Sequence, residues 1–154
     1  MKADDPLLEA KLKELFDRIK RMDELLLTIV KNHIGLEQFM SEFLDASGEN
    51  PEDMSSFDKI EACEEQNPQE IEPAVWEVFY AANQLRNKIA HTFDEAKVKQ
   101  KLDALRAAYI AALNNPVQVE AAKKLTDAQL AAEAMAFCGA YLVVATERVK
   151  AAKK

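Results

Sequence analysis

The stretch "IEPAVWEVFYAANQLRNKIAH", residues 71–91, decides the fold class. Apolar residues recur in it every three or four positions, a spacing that brings them onto one face of an α-helix. Pro73 suits the first turn of such a helix. The positions expected to face the core are Ile71, Ala74, Val75, Val78, Phe79, Ala82, Leu85 and Ile89. The stretch therefore predicts a core helix.

A long helix is predicted before this stretch. "DDPLLEA" opens it with an aspartate at the cap and Pro6 in the first turn. Apolar residues then continue at helical spacing over residues 8–44. Because Asn32 and Gly35 are weak helix formers, we expect a kink or a break near "KNHIG".

Start signals mark the remaining helices. A short helix with a serine cap is predicted in "SSFDKIEACEEQ", and Pro68 is an additional start signal after it. Thr92 and Glu95 have capping-box spacing and predict the start of a helix that ends at "NNP". Thr126 and Gln129 have the same spacing and predict a final helix that runs to the end of the chain.

Composition predicts one all-α domain, residues 1–154, built as a bundle of four to five helices. The chain is 49% hydrophobic and 31% charged and has only three glycines, which favours helix. Its longest apolar run, residues 134–145, is too short to span a bilayer and predicts a buried helix. No secretory signal is visible, and Cys63 and Cys138 form no disulfide framework. We therefore expect a cytoplasmic protein without membrane contact.

Charge is unevenly distributed along the chain. The net charge is −7, which argues against a general nucleic-acid binder. Residues 42–77 contain twelve acidic residues and one lysine, a local charge of −11. Residues 78–154 contain twelve basic and seven acidic residues, a local charge of +5. These runs are either solvated helix faces or an acidic and a basic surface.

Arg86, Asn87 and His91 are the candidate catalytic residues, at the end of the opening stretch. On a regular helix Arg86 and His91 lie about 140° apart, but a turn at residues 90–92 would let His91 swing back towards Arg86. Asn87 lies four residues before His91, on the same face, where it could orient the ring. A histidine moves protons near neutral pH, and an arginine binds phosphate. The alternative is a histidine that caps a helix C-terminus beside a surface arginine.

Further side chains on this helix are candidate RNA or interface contacts, namely Trp76, Tyr80, Asn83 and Lys88. Trp76, Tyr80 and Asn83 are expected on a polar and aromatic face opposite the core stripe. Aromatic rings there could stack on RNA bases or pack in a dimer interface.

No cofactor and no metal site are predicted. The two histidines have no HExxH spacing, and no glycine-rich phosphate loop is present. His33 is expected to be packed in the core or an interface, with a second site beside Glu37 as the alternative. Cys63 and Cys138 are expected to be buried thiols.

The segment Arg86-Asn87-Lys88-Ile89-Ala90-His91 resembles the Arg-x4-6-His motif of the HEPN superfamily. The first helices, in "DRIKRMDELLLTIVKNHIGLEQFMSEFL" and "SFDKIEAC", are similar to those of a bacterial subgroup that includes the mannitol-operon repressor and plasmid-borne HEPN proteins. The similarity covers residues 15–113.

The resemblance implies a dimeric helical bundle and two alternative functions. One is a metal-independent endoribonuclease of a toxin–antitoxin, defence or RNA-processing system, with an antitoxin or regulatory protein as partner. Arg86 would then stabilise the phosphorane, His91 would move a proton and Asn87 would support them. The other is a non-catalytic interaction or regulatory protein.

Overall fold

Six α-helices make up the described part of the chain. The computed structural model describes residues 1–66 and 71–154, which contain no strand. The helices are α1 (Pro6–Ala46), α2 (Ser56–Glu65), α3 (Pro73–His91), α4 (Glu95–Ala112), α5 (Pro116–Lys123) and α6 (Asp127–Ala152). The predicted all-α bundle is confirmed, with one helix more than the upper predicted number.

Helix α1 is continuous through "KNHIG", so the predicted break at Asn32 and Gly35 is wrong. The Asn32 side chain donates a hydrogen bond from Nδ2 to the Thr28 carbonyl at 2.7 Å and so stays on the backbone of its own helix. His33 and Leu36, on either side of Gly35, are both buried. Burial of this face outweighs the weak helix propensity of the two residues, which costs at most about 1 kcal/mol for each.

Helices α1 and α6 form the longest packed pair of the bundle and run parallel, since Thr126 and Asp127 at the start of α6 lie beside Arg21 and Met22 of α1. Lys153, near the end of α6, donates a hydrogen bond to the Ala46 carbonyl at the end of α1. The Phe39 ring of α1 packs closely against α6 at Gly139. A Cβ at this position would lie only 3.0 Å from the ring, so the glycine permits the close approach. The pairing covers the second half of α1, since α6 is the shorter helix by 15 residues, 26 against 41.

The apolar run at residues 134–145 forms the middle of α6, and its core-facing side is buried as predicted. Within the described residues, α6 is the one helix long and apolar enough to cross a membrane by length and composition. The buried side chains of the run are Ala134, Met135, Cys138, Gly139, Leu142 and Ala145.

Helix α3 lies at the centre of the bundle and contacts α1, α2, α4 and α6. The predicted core stripe is confirmed, with Ala74 partly buried and the other seven positions buried. Pro73 occupies the first turn as predicted, while Pro68 lies outside the described residues. The serine cap of α2 is Ser55, whose hydroxyl accepts a hydrogen bond from the Asp58 amide at 3.1 Å.

Helix α4 does not begin at the predicted capping box of Thr92 and Glu95. Asp94 caps it instead, with Oδ1 accepting from the amides of Ala96 at 3.0 Å and Lys97 at 3.2 Å. The Thr92 hydroxyl accepts from the Asp94 amide at 3.2 Å and so shapes the turn between the two helices. Aspartate is at least as strong a cap as threonine, and it lies nearer the first helical residue. The predicted capping box of α6 at Thr126 and Gln129 is confirmed.

Helix α5 was not predicted, because "NNP" was interpreted only as a stop. Asn115 caps the new helix by accepting a hydrogen bond from the Val117 amide at 2.8 Å, and Pro116 fills its first position. Arg106 of α4 donates to the carbonyls of Ala122 and Leu125, both at 2.8 Å. The guanidinium thereby holds the chain where α5 ends.

Candidate active site

His91 is the last residue of α3 and its side chain is exposed. The next residue, Thr92, has extended backbone angles, so the chain leaves the helix immediately after the histidine. A helix C-terminus carries partial negative charge from unpaired carbonyl groups, which favours a cation there. Lys88 and His91 both lie in this last turn.

An open cleft with a volume of about 360 Å³ lies between the end of α3 and the neighbouring part of α4. All the side chains around it are polar. Lys101 of α4 donates a hydrogen bond to Oε1 of Gln84 at 3.3 Å, which joins the two helices across the cleft. The lining residues are Gln84, Asn87, Lys88, His91, Thr92 and Lys101.

Asn87 connects Arg86 to the cleft that contains His91. Arg86 Nη1 donates a hydrogen bond to Oδ1 of Asn87 at 3.2 Å, and Asn87 lines the cleft that contains His91. Arg86 itself does not line this cleft and is partly buried. Asn87 is therefore the predicted catalytic residue that links the other two, since it accepts a hydrogen bond from Arg86 and lines the same cleft as His91.

The expected swing of His91 back towards Arg86 is not observed. Because α3 remains helical through residue 91, the side chains of residues 86 and 91 leave the helix about 140° apart. In the described part of the chain no hydrogen bond joins Arg86 to His91. One protomer therefore presents the histidine with two lysines, Lys88 and Lys101, and turns the arginine towards α1.

His33 of α1 is buried, with 1% of its surface exposed, in agreement with the prediction that it packs in the core or an interface. Burial, with a smaller contribution from the positive charge of Arg86, lowers the pKa of His33 to about 4. The ring is therefore neutral at physiological pH. Its Nδ1 lies 3.8 Å from Oε1 of Glu37, too far for a hydrogen bond, so this contact is not an ion pair at neutral pH. His33 cannot reach a substrate, and the alternative of a second site beside Glu37 has no exposed imidazole.

The predicted polar and aromatic face of α3 is largely buried. Trp76 and Asn83 are each 3% exposed, and the Trp76 ring packs on Phe79 with 4.8 Å between ring centroids. Their predicted roles as RNA or interface contacts are therefore wrong for the protomer. Four helices surround α3, so its buried arc is wider than the single stripe that the sequence indicated.

Tyr80 is partly exposed, and its side chain packs against α2. Its hydroxyl donates to Oε2 of Glu64 at 2.6 Å, and its ring lies 5.8 Å from that of Phe57. Burial, the hydrogen bond to Glu64 and the charges of Glu61, Glu64 and Glu77 all raise the pKa of Tyr80. This acidic surface is unfavourable for a phosphate group.

Cys63 and Cys138 are buried free thiols, as predicted. Burial raises the pKa of Cys63 to about 12 and also raises the pKa of Cys138. A thiol that stays protonated is a poor nucleophile. Among residues 1–66 and 71–154, no group of three histidine, cysteine, aspartate or glutamate side chains is arranged to hold a metal ion.

Comparison of the chain with protein-family models, curated proteins and solved structures finds no significant match. The resemblance to the HEPN superfamily therefore rests on the motif at residues 86–91 and the helices around it.

Three cleft residues, Gln84, Thr92 and Lys101, were not predicted as site residues, and Thr92 was predicted only as a helix cap. Gln84 lies seven positions before His91, two helical turns, and this spacing could have placed it on the same face. Lys101 belongs to α4 and enters the cleft only because α4 packs along α3. No local pattern indicates that pairing.

Proposed function

We propose that the protein is a metal-independent endoribonuclease in which His91 transfers protons and the cleft around it binds the RNA backbone. The observation that carries this proposal is the exposed imidazole in a cleft that also contains Lys88, Lys101 and two side-chain amides. Imidazole is the general acid or base suited to neutral pH. The ammonium groups suit a phosphate, because phosphate attraction dominates nucleic-acid binding.

In the proposed reaction the RNA 2′-hydroxyl attacks the adjacent phosphorus. The bond from O2′ to phosphorus forms, the bond from phosphorus to O5′ breaks, and the products carry a 2′,3′-cyclic phosphate and a 5′-hydroxyl. One proton leaves O2′ and one reaches O5′, and His91 performs one of these transfers. The lysines, with Arg86 behind Asn87, stabilise the negative charge that develops on the phosphorane.

A role for this activity in a toxin–antitoxin, defence or RNA-processing system follows from the resemblance to HEPN proteins. An antitoxin or regulatory protein would then control the exposed cleft. We place the activity in the cytoplasm of a bacterial cell, where RNA is present and free thiols such as Cys63 and Cys138 stay reduced. We propose no cofactor, because the reaction needs only the 2′-hydroxyl and protein side chains.

The alternative is a non-catalytic interaction or regulatory protein that has kept the fold. The position of Arg86 supports it, since the guanidinium is bonded to Asn87 and lies outside the His91 cleft. In that case the motif stabilises the end of α3 and the cleft binds no scissile phosphate.

Single-stranded RNA incubated with purified protein and excess chelator distinguishes the two functions. Under the enzyme proposal the wild type cuts RNA, and Lys101→Ala weakens cutting because it removes a phosphate contact. Lys97→Ala is the matched control, since Lys97 is an exposed lysine one turn away on α4 that does not line the cleft. Equal rates for Lys101→Ala and Lys97→Ala would place the RNA elsewhere.

A further inference from the structure

The Gln84 side chain is held by a cation of the neighbouring helix. It is exposed on α3, and its Oε1 accepts a hydrogen bond from Lys101 Nζ of α4 at 3.3 Å. An ammonium group only donates hydrogen bonds, so the amide atom that faces it must be the oxygen. Gln84 Nε2, with its two N–H donors, is therefore turned away from Lys101 and has no hydrogen-bond partner among the described residues.

Asn87, the second amide of the cleft, is oriented in the same way. Its Oδ1 accepts a hydrogen bond from Arg86 Nη1 at 3.2 Å, and Arg86 lies outside the cleft. A guanidinium also only donates hydrogen bonds. Both amide oxygens are therefore occupied by cations, and both amides have N–H groups left to offer to a ligand.

The cleft at His91 consequently presents mainly hydrogen-bond donors. Lys88 and Lys101 carry ammonium groups, which have no acceptor. The Thr92 hydroxyl already accepts a hydrogen bond from the Asp94 amide at 3.2 Å. The imidazole of His91 keeps one acceptor nitrogen when it is neutral. A group that binds beside Gln84 must therefore supply acceptor atoms rather than amino groups.

The length of the cleft suits one nucleotide. Gln84 and His91 lie on the same face of α3, seven residues apart, which corresponds to about 10 Å along the helix axis. Lys88 lines the cleft between them. A phosphate bound by Lys88 beside His91 therefore leaves the space at Gln84 for the base of the same nucleotide.

We propose that Gln84 and Lys101 recognise a guanine base next to the RNA bond that is cut. The Hoogsteen edge of guanine has two adjacent acceptors, N7 and O6, and lysine is a common donor to this pair. Gln84 Nε2 donates to one of the two acceptors and Lys101 Nζ to the other. This preference rests on the proposed endoribonuclease function and adds a substrate class to it.

The other three bases fit these two donors less well. Adenine has an amino group at N6 where guanine has O6, so it would bring a donor against a donor. Cytosine has an amino group at N4, and uracil has the single acceptor O4 on the corresponding edge. The Gln84 amide cannot turn its oxygen towards an amino group without losing its hydrogen bond from Lys101.

Fluorescence anisotropy with labelled 2′-O-methyl oligonucleotides measures the preference without cleavage, because such a strand has no 2′-hydroxyl that could attack. A uridine strand with one central guanosine should bind about 5- to 10-fold more tightly than the same strand with one adenosine, the lower part of the range for a paired base contact. Inosine keeps N7 and O6 and should match guanosine. The analogue 7-deazaguanosine lacks the N7 acceptor and should bind as weakly as adenosine.

Gln84→Met tests the amide, because methionine has a similar helix propensity and no N–H donor in its side chain. This variant should bind the guanosine and adenosine strands equally. Gln100→Met is the matched control, since Gln100 is an exposed glutamine of α4 beside Lys101 that does not line the cleft. It should keep the preference for guanosine, and circular dichroism should show the same helicity for both variants.

Cleavage of the unmodified strands separates base recognition from the proposed activity. The wild type should cut next to the single guanosine, and Gln84→Met should cut without base preference. Guanosine-selective binding without cleavage would support the recognition of guanine and contradict only the endoribonuclease. Cleavage without base preference by the wild type would overturn the recognition of guanine and leave the endoribonuclease standing. Equal binding of all four strands, no binding of any, or a preference that survives Gln84→Met would also overturn it.

Discussion

Arg86 donates a hydrogen bond to Asn87 at 3.2 Å, and Asn87 shares a cleft with His91. The amide thus links the guanidinium to the cleft of the imidazole, although the helix keeps these two side chains about 140° apart. It gives Arg86 an electrostatic link to the cleft without placing the guanidinium in it. The candidate site is therefore centred on His91 and two lysines, with the arginine in a supporting position.

Replacing Arg86 should reduce RNA cleavage without unfolding the protein. Because the guanidinium would act on the phosphorane from outside the cleft, Arg86→Ala should lower the cleavage rate by less than the roughly 10²- to 10³-fold expected for a donor in contact with the developing oxyanion. Arg86→Lys keeps the charge and should lose less. Cleavage kinetics measure both, with circular dichroism as the check on helicity. Unchanged cleavage by Arg86→Ala would assign the arginine to structure alone.

Asn87→Ala should weaken cleavage less than a change at His91, because the amide orients groups and transfers no proton. The loss should appear as a lower rate at saturating RNA rather than as weaker RNA binding, and the two can be separated by measuring rate against RNA concentration. A loss confined to RNA affinity would make Asn87 a binding residue instead.

The buried His33 should make the fold sensitive to acid. Its pKa is lowered from 6.5 to about 4 in the folded protein, so between these values the unfolded chain binds a proton that the fold excludes. The stabilisation is complete above pH 6.5 and declines as pH falls to 4, by about 3 kcal/mol in total. His33→Gln removes this titration, so its stability relative to wild type should improve on acidification. Denaturant unfolding at neutral pH and at pH 4 measures the difference, and a parallel loss in both proteins would contradict it.

Duplex DNA should not be bound sequence-specifically. The chain has a net charge of −7, and the cleft at His91, with its two lysines, offers few phosphate contacts. A gel shift at physiological salt should show no specific complex. A specific shift there would favour a DNA-binding regulator over an endoribonuclease.

Apolar spacing was sufficient to predict the fold class and most of the helices. The stripe of α3 and the capping box at Thr126 are local signals, and both are confirmed. The continuity of α1 was missed because Asn32 and Gly35 have low propensity, while the burial of His33 and Leu36 is a tertiary effect. Asn115 and Pro116 are a cap and a first-turn proline that could have predicted α5. Because they also follow the end of α4, they were interpreted only as a stop signal.

The site was predicted only in part, for the same physical reason. Residue spacing placed Asn87 and His91 on one face, and they do share a cleft. Spacing could not show that neighbouring helices bury Trp76 and Asn83 or that Lys101 enters from α4. Those outcomes depend on which helices pack together.

The most direct test of the catalytic proposal is the chemistry of the RNA ends left by wild type and His91→Ala in excess chelator. The account predicts 2′,3′-cyclic phosphate and 5′-hydroxyl ends from the wild type, and a rate lower by about 10²- to 10⁴-fold for His91→Ala, the range for general acid–base catalysis. His91 is exposed at the end of α3, so its replacement should leave the fold intact. RNA that stays whole with the wild type, or equal cutting by His91→Ala, would contradict the account.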